Sequence, residues 1–580
     1  MSALKTLYGT DAEPVAGEEV RIGRTKFTFE KGAIRHLKLD GSEAIRSIAF
    51  LVRDRDWGTL EPVISDEKLS RDDGSLKISY RANYESHGAR LDVDITIVAC
   101  SDGLRVSASG QSTGAFETNR AGFTVLHPIN GVAACPVKVE HSDGSIEEST
   151  FPDVIAPWQP FMDIVALSHG VLDQTVTCRF SGDTFEMEDQ RQWGDASFKT
   201  YNRPLALPWP YMIADGARLD QAVELTWAQS QKTTVTQTAT PAINANFPET
   251  AIVITPEDAR RLAGGPDDIL SVSPQRLLCH LDATLGDTTA QFDAFRQAQK
   301  ACPDITYDLE LICGFGESPE VELSRLADEM KEAGFSPASV LVCASVDRGS
   351  TPPGSDWPEC PPLELIHSCA NTAFPGIVHG GGMVSFFPEL NRKRPPVEML
   401  EFVSHGLCPI VHSADDFSVM ETLETIPHIT RSAREIIGNR TYRIGPATIA
   451  MRQNPYGERT IPNPDQDRIC MTDDDPRHRA QFGAAYAIGL ATALAPAGIS
   501  MWTPAELYGP RGLVGAHGTW PLAEPLRILS GLSGQPVKKA EISQGIACLQ
   551  VGDTTLRANL TPQGNQNLPP YGWTVNVASS

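Results

Sequence analysis

The feature that most constrains this chain is a change of hydrophobic period part-way along it. Near the start, Lys26-Phe27-Thr28-Phe29 and Leu91-Asp92-Val93-Asp94-Ile95-Thr96-Ile97 alternate apolar with polar residues, as strands with one buried and one wet face do. Turn signals at Asp40-Gly41, Asp73-Gly74 and Ser101-Asp102-Gly103 fall at intervals too short for a crossover helix, so neighbouring strands must run antiparallel. The pattern predicts an antiparallel β-sandwich over residues 1–245.

Past a Pro- and polar-rich stretch, Thr240 to Pro266, the period changes. Continuous apolar runs at 277–283, 307–313 and 339–345 are each followed by a helical pattern, at 288–301, at 320–334 with Leu323, Leu326 and Met330 on one stripe, and at 362–373. Fully buried strands alternating with amphipathic helices make a parallel sheet. A fourth run leads into Gly380–Arg394, and further strands are expected at 400–404, 442–449 and 499–502, with helices at 416–437 and 479–494. The repeat predicts a TIM (β/α)8-type barrel over 246–525. Period two returns between Lys538 and Val577 and predicts a small C-terminal β domain, 526–580. With 580 residues, the chain is too long for one core. The fold class is multidomain, α/β and β.

The net charge of −24 and pI of about 5.0 argue against a nucleic-acid or anionic-membrane surface, which needs clustered Lys and Arg. The expected partner is a small molecule; composition does not bear on oligomeric state. The N-terminal residues MSALKTLYGTDAEP lack a basic region followed by an apolar core, which predicts a cytoplasmic protein. The twelve cysteines are scattered without a CxxC pair, so neither a disulfide framework nor a zinc site is expected. The apolar run 482–502 is rich in Ala and Gly and contains Pro496, and reads as a buried barrel helix entering a strand.

Catalytic groups of a barrel project from the C-terminal ends of its strands. On that rule Glu389, Asn391 and Arg392 form the first candidate cluster, with Glu389 as proton carrier and Asn391 and Arg392 as hydroxyl-binding groups; a loop carboxylate paired with Arg392 is the plainer alternative. Asp282, His412 and Asp415 are further catalytic candidates, although Asp282 and Asp415 also suit helix N-caps and His412 a core histidine. His280, Glu310, His379, Asn454 and Trp502 are candidate substrate contacts, and His405, Asp416, Tyr456 and Glu506 fall at other strand ends. His379-Gly380-Gly381-Gly382 reads as a tight bend able to offer amides to an oxyanion; the one GxSxG string, Gly110 to Gly114, falls in the alternating β region with no helix after it, so it is not a nucleophile elbow and a serine-esterase mechanism is rejected. Neither HxH nor HExxH spacing occurs, and no metal or other cofactor is expected.

Three segments of the first domain, 48–60, 118–128 and 185–210, are denser in charge and aromatics than a sandwich face needs. The third holds Glu186, Glu188, Asp189, Trp193, Asp195, Lys199, Tyr201 and Trp209. It reads either as one wall of a cleft, with Glu188 as a substrate contact, or as paired charges packing the sandwich onto its neighbour.

Together with FFPELNR, VHSADD and RQNPYG from the barrel, the strings FLVRDRDWGT, NRAGFTVLHP, APWQP and FEMEDQRQWGDASFKTY resemble the D-apionate lactonase family, from about residue 20 to the C-terminus. The resemblance implies a three-domain hydrolase that opens D-apionolactone, a small sugar lactone, to D-apionate in degradation of the branched pentose apiose. The alternative, from architecture alone, is a glycoside hydrolase, because the Glu-Leu-Asn strand end resembles the acid/base position of many retaining glycosidases. That enzyme needs a second carboxylate about 5 Å away, for which Glu506 is the late-strand candidate.

Overall fold

The structure, a computed structural model, describes residues 2–72, 74–229, 243–457 and 459–578. One expected turn residue, Asp73, and the first three residues of the Thr240 to Pro266 stretch lie outside them. Between Glu18 and Gln229 the chain forms an antiparallel sheet of sixteen strands, fourteen in one hydrogen-bonded path and two, Pro136–His141 and Ile146–Thr150, branching from it. The alternation holds along Ala89–Ala99, where Leu91, Val93, Ile95 and Ile97 point into the core and the residues between them outward. Each such side chain contributes about 1.5–3 kcal/mol of burial. The path folds back on itself as a sandwich: Tyr80 donates to the Gly32 carbonyl at 2.6 Å and Tyr84 to that of Phe50 at 3.1 Å, although their strands stand far apart in the hydrogen-bonded order. Gly32 has φ +78°, and a Cβ there would stand 2.8 Å from the Tyr80 hydroxyl, so glycine permits that approach.

Eight parallel strands then close a barrel: β1 Glu249–Ile254, β2 Arg276–Asp282, β3 Thr306–Cys313, β4 Ser339–Ala344, β5 Val378–Phe386, β6 Phe402–Leu407, β7 Thr441–Ala447 and β8 Met501–Glu506. β1 lies inside the stretch expected to be a connection. It is six residues long and flanked by Pro248 and Pro256, too brief to outweigh the polar and Pro composition around it. The helix after it, Pro256–Gly264, opens with a capping box between Thr255 and Asp258. Every later strand therefore stands one place further round, and Glu389 follows the fifth strand, not the fourth. It also sits in a short helix, Phe387–Lys393.

His379–Gly382 is not a tight bend. It lies in the first half of β5, and its glycines admit close neighbours: a Cβ at Gly380 would stand 2.1 Å from the Phe402 ring, and one at Gly382 2.2 Å from the Ser404 carbonyl. The apolar run resolves into the buried helix Gln481–Leu494 and β8, and no helix among the described residues is long and apolar enough to cross a membrane. Against that helix packs a four-stranded antiparallel sheet running from Val537 to Val577, through Ala547, Leu549, Leu556 and Leu560. All twelve cysteines are free.

The sandwich is clamped onto the barrel by charge. Arg35 reaches Asp415 at 3.1 Å, and Arg46 reaches Glu421 at 3.3 Å and Glu424 at 3.0 Å. Asn391 donates to the Ile155 carbonyl at 3.1 Å.

Candidate active site

The three charge-dense segments of the sandwich converge on the mouth of the barrel. Arg53 and Trp57 come from the first, Arg120 from the second, and Glu188, Trp193, Lys199 and Tyr201 from the third. Facing them are Ser350 and Pro352 after β4, Arg392 after β5, Val411 and His412 after β6, and Tyr456 and Met471 after β7. Between the two walls lies a cleft partly open to solvent.

Strand geometry builds the sandwich wall. Lys199 and Tyr201 sit two apart on Ser197–Asn202 and so share a face. Glu188, at the end of Phe185–Glu188, is the register partner of Lys199, as Glu186 is of Tyr201. Lys199 Nζ lies 2.5 Å from Glu188 Oε2, and Trp193 donates its indole N–H to Oε1 at 3.0 Å. Burial would raise the Glu188 pKa, but Lys199, His412 and Arg392 outweigh it and hold it at about 2. Glu188 is thus a carboxylate at all ordinary pH. Burial pushes the Lys199 and Arg53 pKa values down, and nearby Arg120 adds to both shifts.

His412 joins the two walls. Its Nδ1 lies 2.7 Å from Asp195 Oδ2 and its Nε2 3.4 Å from the Tyr456 hydroxyl, while its ring meets that of Trp193 edge-on at 5.7 Å. A carboxylate accepting from Nδ1–H leaves the lone pair on Nε2. The pair can therefore take a proton from a water molecule in the cleft.

Glu389 stands behind this surface. It accepts from Ser350 Oγ at 2.6 Å and Arg392 Nη1 at 3.3 Å, two residues that themselves line the cleft. Burial raises its pKa against the pull of Arg392 and Ser350. Arg392 also donates to the Pro157 and Thr351 carbonyls at 3.2 Å.

The other expected site residues scatter. His280 Nδ1 approaches Glu310 Oε1 at 2.7 Å, and Arg452 Nη2 donates to the same oxygen at 2.6 Å; burial opposes ionisation of Glu310, yet Arg452 and His280 hold its pKa at about 2. This cluster joins β2 and β3 to the loop after β7, and none of its three members lines the cleft. Asp282 caps the turn Ala283–Leu285 and binds Arg348 Nη1 at 2.5 Å. Asp415 caps Asp416–Glu421. Asn454 holds its own loop, donating to the Arg459 carbonyl at 2.9 Å. Glu506 accepts from Arg511 Nε at 2.8 Å. Trp502 is buried at the opposite end of the barrel, donating to Thr250 Oγ1 at 3.1 Å. His379 lies near the start of β5 against His367 Nδ1 at 3.1 Å. His405 is enclosed, its Nε2 2.7 Å from the Tyr442 hydroxyl, and burial lowers its pKa to about 4. Among the described residues no three of His, Cys, Asp and Glu cluster as metal ligands.

Sequence reasoning did not single out Arg53 or Arg120, named Trp193, Asp195, Lys199 and Tyr201 only as members of a charge-dense segment, and placed Tyr456 only at a strand end. The available signal was the density of charge and aromatics in their segments.

Fold and cleft together define a barrel protein whose mouth is completed by a β domain. A family model described as the N-terminal domain of D-apionate lactonase matches residues 5–230, and one described as its TIM barrel domain matches 250–534. A protein of Brucella anthropi named D-apionate lactonase is 42% identical over 548 residues, 91% of this chain and 90% of that one. The chain belongs to the D-apionate lactonase family and is a hydrolase of the carboxylic ester bond in lactones. A GH36 α-galactosidase AgaA variant of Geobacillus stearothermophilus is 9% identical over 94% of this chain and 91% of its own, with a TM-score of 0.29. A putative aldose 1-epimerase of Escherichia coli K12 is 12% identical over 37% of this chain and 99% of its own, with a TM-score of 0.25. Neither likeness is close enough to carry an argument.

Proposed function

We propose that this protein hydrolyses D-apionolactone to D-apionate in the breakdown of the branched pentose apiose, using water activated by His412. The observation that carries the reading is the 2.7 Å contact between Asp195 and His412 Nδ1 across the cleft. It orients a base toward the cleft between sandwich and barrel. His412 Nε2 takes a proton from water as the oxygen adds to the lactone carbonyl carbon. When the ring C–O bond breaks, the imidazolium returns that proton to the leaving ring oxygen. The products are a hydroxyl and a carboxylic acid, which releases its proton to solvent at neutral pH. Glu188, Lys199 and Tyr201 are placed to read sugar hydroxyls, and Trp193 offers an apolar wall beside the base. Glu389 acts as a positioning residue, holding Ser350 and Arg392.

The glycosidase reading has less support. Glu188 is the one carboxylate lining the cleft among the described residues, whereas a retaining mechanism needs two about 5 Å apart, and Glu506 is taken by Arg511. Assaying the protein on D-apionolactone, other aldonolactones and aryl glycosides side by side tests both. Lactone opening above the spontaneous rate, lost in His412→Asn, is expected; glycoside turnover with inert lactones overturns the proposal.

A further inference from the structure

Arg53 and Arg120 are register partners on adjoining antiparallel strands and both line the cleft. Like charges directly opposite one another in a sheet repel. Five arginines of the described residues are buried: Arg46, Arg120, Arg191, Arg443 and Arg477. Four of them stand within reach of a carboxylate, Arg46 of Glu43, Arg191 of Asp189, Arg443 of Asp308 and Arg477 of Asp475. Among the described residues Arg120 pairs with none, and its buried Nε has no hydrogen-bond partner. Its guanidinium instead lies 4.0 Å from the Tyr201 ring and 5.4 Å from that of Trp57. Stacking on ring faces fixes the guanidinium plane and leaves its in-plane N–H groups available. Arg53 gives one nitrogen to the Trp57 carbonyl at 3.4 Å and to the Thr59 hydroxyl, and likewise forms no ion pair among the described residues.

A buried, unpaired cation is costly to keep, and a second arginine facing it in register adds repulsion. An arrangement of this kind is stable in use when an anion arrives between the guanidinium groups. We infer that Arg120, with Arg53 beside it, is the receptor for the carboxylate produced by ring opening. The inference rests on the lactonase reading of the same cleft. The lactone is neutral and has no charge to pair with either arginine, whereas the aldonate product does. The planar fork of Arg120 matches a carboxylate in a bidentate geometry. The cleft therefore discriminates acid from lactone, and the enzyme is held back by its own product.

The test is calorimetric titration of the full-length protein with D-apionate and with its uncharged primary amide, which keeps the skeleton and hydroxyls. In Arg120→Gln the Kd for D-apionate rises about 10- to 100-fold, the usual worth of a charge-assisted bidentate contact, while that for the amide moves within about 2-fold. Arg120→Lys keeps the charge but loses the fork, and gives an intermediate loss for the acid. Arg53→Gln gives the same split to a smaller degree, so the proposal stays testable should the Arg120 variants fail to fold. Equal losses for acid and amide, or no loss for the acid, overturn it. If the wild type opens no lactone yet still separates acid from amide through Arg120, the lactonase reading fails and the anion site stands. Lactone turnover without that separation overturns the anion site alone.

Discussion

Two ion pairs formed within one short stretch of chain have opposite fates. Asp189 and Arg191 are completely enclosed, with no exposure of either side chain. Arg191 also donates to the Pro152 and Asp153 carbonyls and meets His428 Nδ1 at 2.9 Å, and Asp189 accepts from the Ala156 amide at 3.0 Å. That pair docks sandwich to barrel. Glu188 and Lys199 keep 17% and 10% exposure and open into the cleft. Segment 185–210 therefore both packs sandwich onto barrel, through Asp189 and Arg191, and lines the cleft, through Glu188, Trp193, Lys199 and Tyr201. What separates them is whether backbone carbonyls and amides satisfy the remaining donors and acceptors, or leave them for a ligand.

The comparison is sharpened most by the base on the cleft side. His412→Asn should lower kcat on D-apionolactone by about 10²- to 10⁴-fold after subtraction of the spontaneous rate, with little change in melting temperature. Near-full turnover would mean that the open face of the segment does no chemistry. On the closed side, Arg191→Met leaves Asp189 buried and alone, and should cost about 3–5 kcal/mol of stability in denaturant melts. Lys199→Met should cost much less, because Glu188 still reaches solvent. If the two losses prove equal, the contrast between docking and site pairs fails.

Acid sharpens the same contrast. The folded-state pKa of Glu188 is depressed from 4.5 to about 2, so its stabilising contribution is complete above the ordinary value and fades as pH falls from 4.5 toward 2. The stability difference between wild type and Glu188→Gln should therefore be full at neutral pH and vanish across that window. A constant difference would place the charge elsewhere. Glu389→Gln disturbs Ser350 and Arg392 without touching substrate, and turnover should fall about 10-fold, the worth of a hydrogen bond to a charged group. A loss as deep as that of His412→Asn would return Glu389 to the role of proton carrier. The smallest effect belongs to Trp502→Phe, which removes one buried hydrogen bond and about 1 kcal/mol while lactone turnover stays at the wild-type level. Impaired turnover would show that the far end of the barrel is coupled to the cleft.

The architecture was legible wherever a local period carried it. Ala89–Ala99 alternates because one face is wet, and Thr306–Cys313 is apolar apart from Thr306, Asp308 and Glu310 because helices cover its outer face. β1 was not legible, since six residues between prolines do not build a period. The cleft was legible only as a concentration of charge and aromatics in three segments; of the residues singled out, Glu188 and His412 line it, whereas Trp502 and His379 lie near the starts of their strands.

The sequence by itself determined which stretches become strands and helices, in what order, and which of them carry surplus polar groups, because side-chain period and turn chemistry act over a few residues. Only the tertiary structure decided that Asp195 meets His412, 217 positions away, that Glu188 opposes Lys199 rather than water, and that Arg120 finds no carboxylate. Those contacts depend on strand register and domain docking. Both arise from burying the sandwich and barrel faces as wholes, so no short window of sequence contains them.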